Sequence, residues 1–172
     1  IPKIATLHSF ALRQLMRNAD RLVLLPRPLR VADDWEERNI ILEDLKNNLN
    51  LEKIAEAKEL FFQLSSDWES NIEENEFHPN PRFIGAWREH RSIFGYTLRS
   101  ELVYQLKRAL EQIDDFKLDN PITHLLVDEY QDLNLCDLAI IKEITNRGVE
   151  LFVAGDDDQS IYGFRKAFPE GI

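Results

Sequence analysis

Two short blocks of the sequence combine acidic residues with other residue types that can bind nucleotides. The first block, LLVDEYQD, spans residues 125–132 and places Asp128 and Glu129 directly after an apolar run. An aspartate in this position can hold a hydrated Mg²⁺, which prefers a few carboxylates together with nucleotide phosphates. An adjacent glutamate can orient and deprotonate an attacking water. A solvated strand end would carry the same two acids, so this block alone leaves both interpretations open.

The second block, GDDDQSIYGFRKA, begins at Gly155 and follows a second apolar run, Leu151 to Ala154. It places a glutamine, two aromatic residues and an arginine beside three further aspartates. Between the two blocks lies an amphipathic segment, residues 133–145, so the pattern predicts a βαβ unit with two parallel strands buried on both faces. Ligands of open α/β sheets bind at the carboxyl ends of the strands. We therefore expect the acids of both blocks to line one cleft.

The two blocks resemble motifs of the UvrD/Rep/PcrA family of superfamily 1 helicases. DEYQD is similar to the family's Walker B motif, DExQD, and GDDDQSIYGFRKA is similar to its third motif, GDxDQSIYxxRGA. The segment TLHSF, which starts at Thr6, is similar to the T-x-H-S-F segment with which the family contacts single strands. The resemblance implies an α/β fold: a partial P-loop NTPase (RecA-like) parallel sheet that carries a mainly helical insertion.

The resemblance also implies a role for each matching residue. Asp128 would coordinate Mg²⁺, Glu129 would be the general base, and Gln159 would sense the γ-phosphate of ATP as a catalytic residue. Other residues on the nucleotide side would be Gln131, Asp132 and Arg165. The residues expected to contact DNA are Thr6, His8, Tyr162 and Phe164.

Two positions depart from the family pattern. Phe164 stands where better-known members carry a stacking tryptophan, and this change should weaken the base-stacking platform without abolishing it. Lys166 replaces the usual glycine after Arg165, which leaves the tightness of the following turn open. His8, taken without its motif, is more often a capping or surface histidine.

The segments before residue 120 are predicted to be helical. Asp33 and Glu36 form a capping-box pattern, and Asn80 with Pro81 predicts a helix start that is matched by a stop at Gly95. Thr97 is expected to cap the next helix. The apolar faces predicted from helical spacing are Ala11, Leu12, Leu15, Met16 and Ala19; Leu51, Ile54, Ala55, Phe61 and Phe62; and Leu98, Leu102, Leu106, Ala109, Leu110 and Ile113.

Charge and position together suggest the domain organisation. The net charge is -10, and residues 33–76 carry fourteen acidic and four basic side chains, whereas the rest of the chain carries 17 of each. We expect residues 1–20 and 96–172 to be parts of motor domain 1A, and residues 21–95 to be a mainly helical insertion similar to domain 1B. The acid-rich stretch is then a solvated helical surface, and the overall charge does not exclude a nucleic-acid partner.

A run of basic residues interleaved with aromatic residues allows two interpretations. It could be a patch that contacts duplex DNA, or, more commonly, the solvated side of two packed helices. The basic members are Arg82, Arg88, Arg91, Arg99, Lys107 and Arg108, and the aromatic members are Trp87, Phe94, Tyr96 and Tyr104. His90 lies in the same region and is expected to be a core or boundary residue.

The implied ligands are Mg²⁺ and ATP, and the implied partners are single-stranded DNA, a duplex junction and the remaining helicase domains. No apolar run has the roughly 20 residues needed to span a bilayer, so no membrane is expected. The single cysteine, Cys136, fits a reducing, cytoplasmic setting.

No G-x-x-x-x-G-K-[ST] phosphate loop occurs in the 172 residues. We therefore expect this chain by itself not to hydrolyse ATP. The alternative is a non-catalytic, helicase-derived module that binds DNA or protein. A Mg²⁺-dependent phosphatase or nuclease is disfavoured, because neither block has a placed nucleophile or a second metal-binding cluster.

Overall fold

The structure, a computed structural model, describes residues 3–22, 25–74, 78–118 and 121–156. A π-helical stretch, Glu37–Ile41, joins the second and third helices, and 3₁₀ turns occur at Ala19–Arg21, Arg99–Glu101 and Tyr130–Asp132. The mixture of many helices with a small parallel sheet confirms the predicted α/β class. The helices and strands of the described residues are α1 (Leu7–Arg17), α2 (Asp34–Glu36), α3 (Leu42–Asn48), α4 (Ile54–Glu69), α5 (Pro81–Phe94), α6 (Leu102–Gln112), β1 (His124–Val127), α7 (Leu135–Thr145) and β2 (Glu150–Val153).

The chain divides into two compact units. The first unit consists of the described parts of Ile1–Asn18, Glu69–Asn71 and Val103–Ile172, and it contains both strands. The second unit consists of the described parts of Ala19–Trp68 and Ile72–Leu102, and its regular structure is helical. Within the described residues, no helix combines the length and the apolar character needed to cross a membrane.

The sheet of the first unit forms where the two apolar runs were predicted to be strands. β1 and β2 pair in parallel, with His124 opposite Glu150 and Val127 opposite Val153. The connection between them contains α7, whose buried residues include Cys136 and Ile140. The predicted βαβ order is therefore present.

The prediction that both strands are buried on both faces is wrong for the described structure. Leu126 is 76 % exposed and Phe152 is 55 % exposed. Among the described residues the sheet has two strands, and so small a sheet cannot bury both of its faces. The apolar composition of the two runs identified the strands correctly. Burial of both faces of a strand requires further strands or helices packed against the sheet, and composition alone does not supply them.

Polar side chains tie the end of α1 and the loop after α6 into the first unit. The Nδ2 group of Asn18 donates to the backbone oxygens of Gln14 (2.9 Å) and Lys117 (3.0 Å). Arg147 donates to the backbone oxygens of Leu110 (2.9 Å) and Phe116 (3.2 Å). These bonds hold the end of α1, the end of α6 and the loop after α6 together within the first unit.

The apolar face predicted for the first helix is partly wrong. Ala11 and Leu15 are buried as expected, but Met16 is exposed and the polar Gln14 is buried instead. Positions 11, 14, 15 and 18 define the buried stripe. The predicted positions and the buried positions both follow helical spacing, and tertiary packing determines which of the two sets is buried.

Local signals determine the helix ends of the second unit. Oδ1 of Asp33 accepts the N–H groups of Trp35 and Glu36, and a carboxylate oxygen of Glu36 accepts the N–H of Asp33 (3.1 Å), which confirms the capping box. The predicted helix start at Asn80 and the stop at Gly95 are also confirmed. Gly95 has a φ of 65°, the left-handed conformation that glycine adopts most easily.

Aromatic side chains form the core of the second unit. The rings of Phe61 and Phe83 meet edge to face at 5.0 Å, and those of Trp68 and Trp87 lie 5.7 Å apart. Phe62 was predicted to be buried, but it is 67 % exposed. The buried positions of α4 are 57, 61, 64, 67 and 68, so its core stripe is rotated from the predicted one.

The interleaved basic and aromatic residues do not form an exposed stacking patch. Trp87, Tyr96 and Tyr104 are buried, and so are the charged side chains of Arg91 and Lys107. Phe94 is the exposed aromatic of this set. The aromatic members serve mainly as core residues, because burying their large apolar area stabilises the fold.

Thr97 does not cap α6. Thr97 lies in an extended segment. Its backbone N–H donates to the backbone oxygen of Arg30 (2.7 Å), and its backbone oxygen accepts the N–H of Ala32 (2.9 Å). A carboxylate oxygen of Glu101 accepts the N–H of Leu98 at 2.7 Å instead. The prediction for Thr97 was wrong because a tertiary backbone contact determines its conformation.

Candidate functional site

The first acidic block begins where β1 ends. Asp128 follows Val127, the last residue of the strand, and Glu129 adopts φ 52° and ψ 44°. A left-handed conformation is uncommon for a residue with a side chain, and such conformations cluster at functional sites. The N–H of Glu129 donates to Oδ1 of Asp128 (3.0 Å), and the N–H of Asp132 donates to the backbone oxygen of Glu129 (2.9 Å). The turn after the strand is therefore held by local hydrogen bonds.

Backbone pairing continues beyond the last residues of both strands. The N–H of Ala154 donates to the backbone oxygen of Val127 (2.8 Å), and the N–H of Tyr130 donates to the oxygen of Ala154 (3.0 Å). The beginning of the second block thus lies against the turn that carries Asp128 and Glu129. Parallel strands place their carboxyl ends at one edge of a sheet, and this pairing keeps the two blocks side by side there.

Gln131 joins the two blocks through both ends of its side-chain amide. Its Nε2 donates to Oε2 of Glu129 at 2.6 Å, and its Oε1 accepts the N–H of Asp156 at 3.0 Å. The side chain is almost completely buried, with 2 % of the residue exposed. A buried amide needs hydrogen-bond partners, and Gln131 has one on each block.

Gly155 provides the space that the Gln131 amide occupies. A Cβ atom at position 155 would lie 2.5 Å from Oε1 of Gln131 and 3.2 Å from the backbone nitrogen of Tyr130. Both distances are shorter than ordinary van der Waals contacts. A side chain at position 155 would therefore force the Gln131 amide to shift, and the Tyr130 backbone lies close behind it.

The acidic side chains differ in how far solvent reaches them. Asp128 and Glu129 are exposed, whereas Asp132 is half-buried. Among the described residues, no group of three or more His, Cys, Asp or Glu side chains is arranged to hold a metal ion. Mg²⁺ in nucleotide sites takes few protein carboxylates and is held mainly by phosphate and water oxygens, and the exposed Asp128 carboxylate is chemically compatible with such an ion.

α7 anchors the turn that follows the first block. Oδ1 of Asn134 accepts the N–H of Asp137 (2.9 Å), and a carboxylate oxygen of Asp137 accepts the N–H of Asn134 (3.1 Å). Burial raises the pKa of the Cys136 thiol in the first turn of this helix to about 12, and the neighbouring charge of Asp137 contributes to that increase. The helix start next to the site is therefore well packed and capped.

The predicted DNA-contacting residues of the amino-terminal segment lie at the start of α1. Oγ1 of Thr6 accepts the N–H of Ser9 (3.2 Å) and caps the helix, and both Thr6 and His8 are exposed. Their exposure leaves them accessible to a large ligand. Capping accounts for a threonine at position 6 without any ligand.

Four predicted site residues lie outside the described residues: Gln159, Tyr162, Phe164 and Arg165. Their expected roles remain predictions. Two features that the sequence did not reveal are the bridging amide of Gln131 and the close approach at Gly155. The available signals were a polar residue two positions after Glu129 and a glycine directly after the second strand, but the register that brings them together is a tertiary property.

The chain belongs to the UvrD/REP helicase family, because the model of the UvrD/REP helicase N-terminal domain matches residues 2–172. This match confirms the resemblance on which the site assignments rest. It covers the helical middle of the chain as well as the motifs at its ends.

The chain is also similar to named helicases of bacteria. It is 28 % identical to the ATP-dependent DNA helicase PcrA of Staphylococcus epidermidis over 182 residues, which cover 98 % of this chain and 25 % of that protein. It is 28 % identical to the ATP-dependent DNA helicase Rep of Buchnera aphidicola over 189 residues, which cover 98 % of this chain and 28 % of that protein. The chain thus spans about a quarter of the length of these relatives.

Proposed function

We propose that this chain supplies the acidic site residues of an ATP-dependent DNA helicase that couples Mg²⁺-ATP hydrolysis to movement along single-stranded DNA and to duplex unwinding. One observation carries the proposal. Asp128 and Glu129 follow β1, and Gln131 connects Glu129 to Asp156 just beyond β2. A metal-binding acid and a general base at the end of a strand are one part of the arrangement that ATP hydrolysis requires.

Each acidic residue has a separate proposed role. Asp128 would hold Mg²⁺ through its exposed carboxylate, and the ion would neutralise charge on the phosphate oxygens. Glu129 would orient the attacking water and accept its proton. Asp132 would support the turn on which both residues lie, since its N–H already donates to the backbone oxygen of Glu129 (2.9 Å). Positioning of this kind is a major part of catalysis in phosphoryl transfer.

Coupling to DNA is assigned to the second block and to the amino-terminal segment. Gln159 would sense the γ-phosphate together with Arg165, and Tyr162 and Phe164 would stack on bases. Because these residues follow Asp156 within one short stretch, a small displacement at the nucleotide can reach the base stack. Stacking on aromatic rings binds single strands with little sequence preference. The exposed Thr6 and His8 would add contacts to the strand.

The two compact units support an assignment of the chain to a motor domain and an inserted helical lobe. We assign residues 1–20 and 96–172 to motor domain 1A and residues 21–95 to an inserted helical lobe. In support, the first unit contains the sheet and the described site residues, whereas the regular structure of the second unit is helical. The remaining helicase domains and a duplex junction would be partners of the whole protein, which would act in the cytoplasm.

The proposal is tested by ATP hydrolysis in the full-length polypeptide that carries this chain. Wild-type protein should hydrolyse ATP in a Mg²⁺-dependent manner, and single-stranded DNA should stimulate the reaction. Glu129→Gln should lower kcat by about 10² to 10⁴-fold, as expected when a general base is removed. The matched control is Glu89→Gln, an exposed position on α5. It should retain wild-type turnover.

Two results would count against the proposal. Unchanged turnover in Glu129→Gln would remove the assignment of the base. DNA binding by a wild-type protein that does not hydrolyse ATP would instead favour a non-catalytic, helicase-derived binding module. The isolated 172-residue chain contains no phosphate-loop motif, and we expect no measurable turnover from it.

A further inference from the structure

The amide of Gln131 links the two blocks, and the orientation of this amide is determined by its hydrogen-bond partners. Nε2 faces the Glu129 carboxylate at 2.6 Å, and Oε1 faces the Asp156 N–H at 3.0 Å. A flipped amide would place an oxygen against the carboxylate and an NH₂ group against an N–H. Neither contact is a hydrogen bond, so one orientation is favoured at both ends.

Glu129 has an unfavourable backbone conformation and an exposed side chain, and different hydrogen bonds hold each of them. The left-handed φ of 52° is sparsely populated by residues with side chains. The local bonds to Asp128 and Asp132 hold the backbone of Glu129, and the bond from Gln131 holds its side chain. Without the amide, the exposed carboxylate would be free to rotate among rotamers.

We propose that Gln131 is a positioning residue that aligns the Glu129 carboxylate with the start of the second block, and that Gly155 lacks a side chain in order to admit this amide. The proposal rests on the proposed function for the role of Glu129. Its geometric part, the link between Glu129, Gln131 and Asp156, does not depend on that function. A planar amide bonded to both blocks transmits a shift of the Asp156 backbone to the Glu129 carboxylate.

The first test replaces Gln131 in the full-length polypeptide. Gln131→Met has a similar volume but neither hydrogen bond, and it should lower kcat by about 10 to 100-fold, in the range that misplacement of a reacting group produces. The KM for ATP should change less than about threefold, because an orienting contact acts on the chemical step. Hydrogen exchange of the Asp156 amide should become faster, since its acceptor is lost. Gln112→Met, at the exposed end of α6, is the matched control and should leave these quantities unchanged.

The second test is a double-mutant cycle between positions 131 and 155, with the melting temperature and kcat as readouts. Gly155→Ala should lower the melting temperature in the wild-type background, because its Cβ would lie 2.5 Å from Oε1 of the buried, hydrogen-bonded Gln131 side chain. In a Gln131→Ala background the same change should cost less, since the amide is gone. Relief should be partial, because Tyr130 atoms remain at 3.2 and 3.3 Å. Direct contacts produce non-additivity of this kind.

The outcomes separate this inference from the proposed function. A kcat for Gln131→Met within twofold of wild type, or additive effects at positions 131 and 155, would overturn it. If Glu129→Gln left hydrolysis intact, the proposed function would fail, but faster Asp156 exchange and the non-additive melting temperatures would still support the link. Loss of stability in Gln131→Met with an unchanged Asp156 exchange rate would mean that the residue serves packing alone, and this would also overturn the inference.

Discussion

Arg91 and Glu101 form a buried ion pair in the second unit, with Nη1 of Arg91 2.7 Å from Oε2 of Glu101. The other carboxylate oxygen of Glu101 accepts the N–H of Leu98 at 2.7 Å, and the Arg91 guanidinium lies 4.7 Å from the centre of the Trp87 ring. Buried charges are tolerated when they are paired and hydrogen-bonded. This cluster therefore connects α5 to the turn that leads into α6.

Removal of one member of this pair should be strongly destabilising. We expect Glu101→Leu to lower the free energy of unfolding by about 3–5 kcal/mol, because it removes the carboxylate that compensates the buried Arg91 charge. The double variant Arg91→Met with Glu101→Leu should recover much of that loss. Urea unfolding followed by circular dichroism measures both effects.

A surface ion pair provides the control for this prediction. Lys46 and Glu43 lie 3.6 Å apart on α3, and the Glu43 side chain is exposed. Glu43→Gln should change the free energy of unfolding by less than about 1 kcal/mol. Equal losses at positions 43 and 101 would contradict the argument that burial makes the difference.

Two glycines of the second unit should respond oppositely to alanine. Gly85 lies inside α5, and a Cβ there would have no atom within 4 Å, so Gly85→Ala should stabilise by about 0.5–1 kcal/mol. Gly95 ends the same helix with a φ of 65°, and Gly95→Ala should destabilise by about 1 kcal/mol. Thermal unfolding distinguishes the two signs. A loss of stability in both variants would argue against the helical environment of Gly85.

The features of the fold that sequence predicted best are those determined by a few neighbouring residues. The capping box at Asp33 and the helix that begins after Asn80 depend on bonds that span three residues. The exposure of Phe62 and the extended conformation of Thr97 depend on partners far away in the chain. Spacing alone could not select the correct stripe of α4 or anticipate the bridge between Thr97 and Val31.

The candidate site shows the same limit. The order of strand and acids placed Asp128 and Glu129 correctly at a strand end, because a short apolar run followed by carboxylates is a local pattern. The bond between Gln131 and Asp156 depends on the parallel register of two strands about 25 residues apart in the chain. No local pattern contains that register, so the requirement for Gly155 emerged only from the structure.

Glu37, in the π-helical stretch, should make stability depend on pH. Burial raises the pKa of its carboxyl above the usual value of 4.5, and repulsion from Asp34 adds to this effect, while Arg38 opposes it. A raised pKa in the folded state means that ionised Glu37 costs stability, and this cost grows as pH rises through the folded pKa. Glu37→Gln should therefore stabilise the protein at pH 7.

The pH dependence provides the check on this prediction. The advantage of Glu37→Gln in urea unfolding should shrink as the pH falls from 7 towards 4.5, where the wild-type carboxyl becomes protonated. Glu52→Gln, at an exposed position before α4, is the control and should show no comparable gain. An advantage for Glu37→Gln that grows on acidification would have the wrong sign.

Cys136 should resist alkylation in the folded protein. Burial raises the pKa of its thiol to about 12, so only about one thiol in 10⁴ is ionised at pH 8, and the thiolate is the reactive form. In urea the same thiol should regain an ordinary pKa and react faster by about 10³-fold or more. Iodoacetamide labelling followed by mass analysis of the peptide that contains Cys136 measures both rates.

A matched comparison is Ser100→Cys in a Cys136→Ala background, because position 100 is exposed and its thiol should react rapidly without urea. Equal native rates at positions 100 and 136 would show that the α7 start beside the site opens readily, contrary to its buried and capped structure.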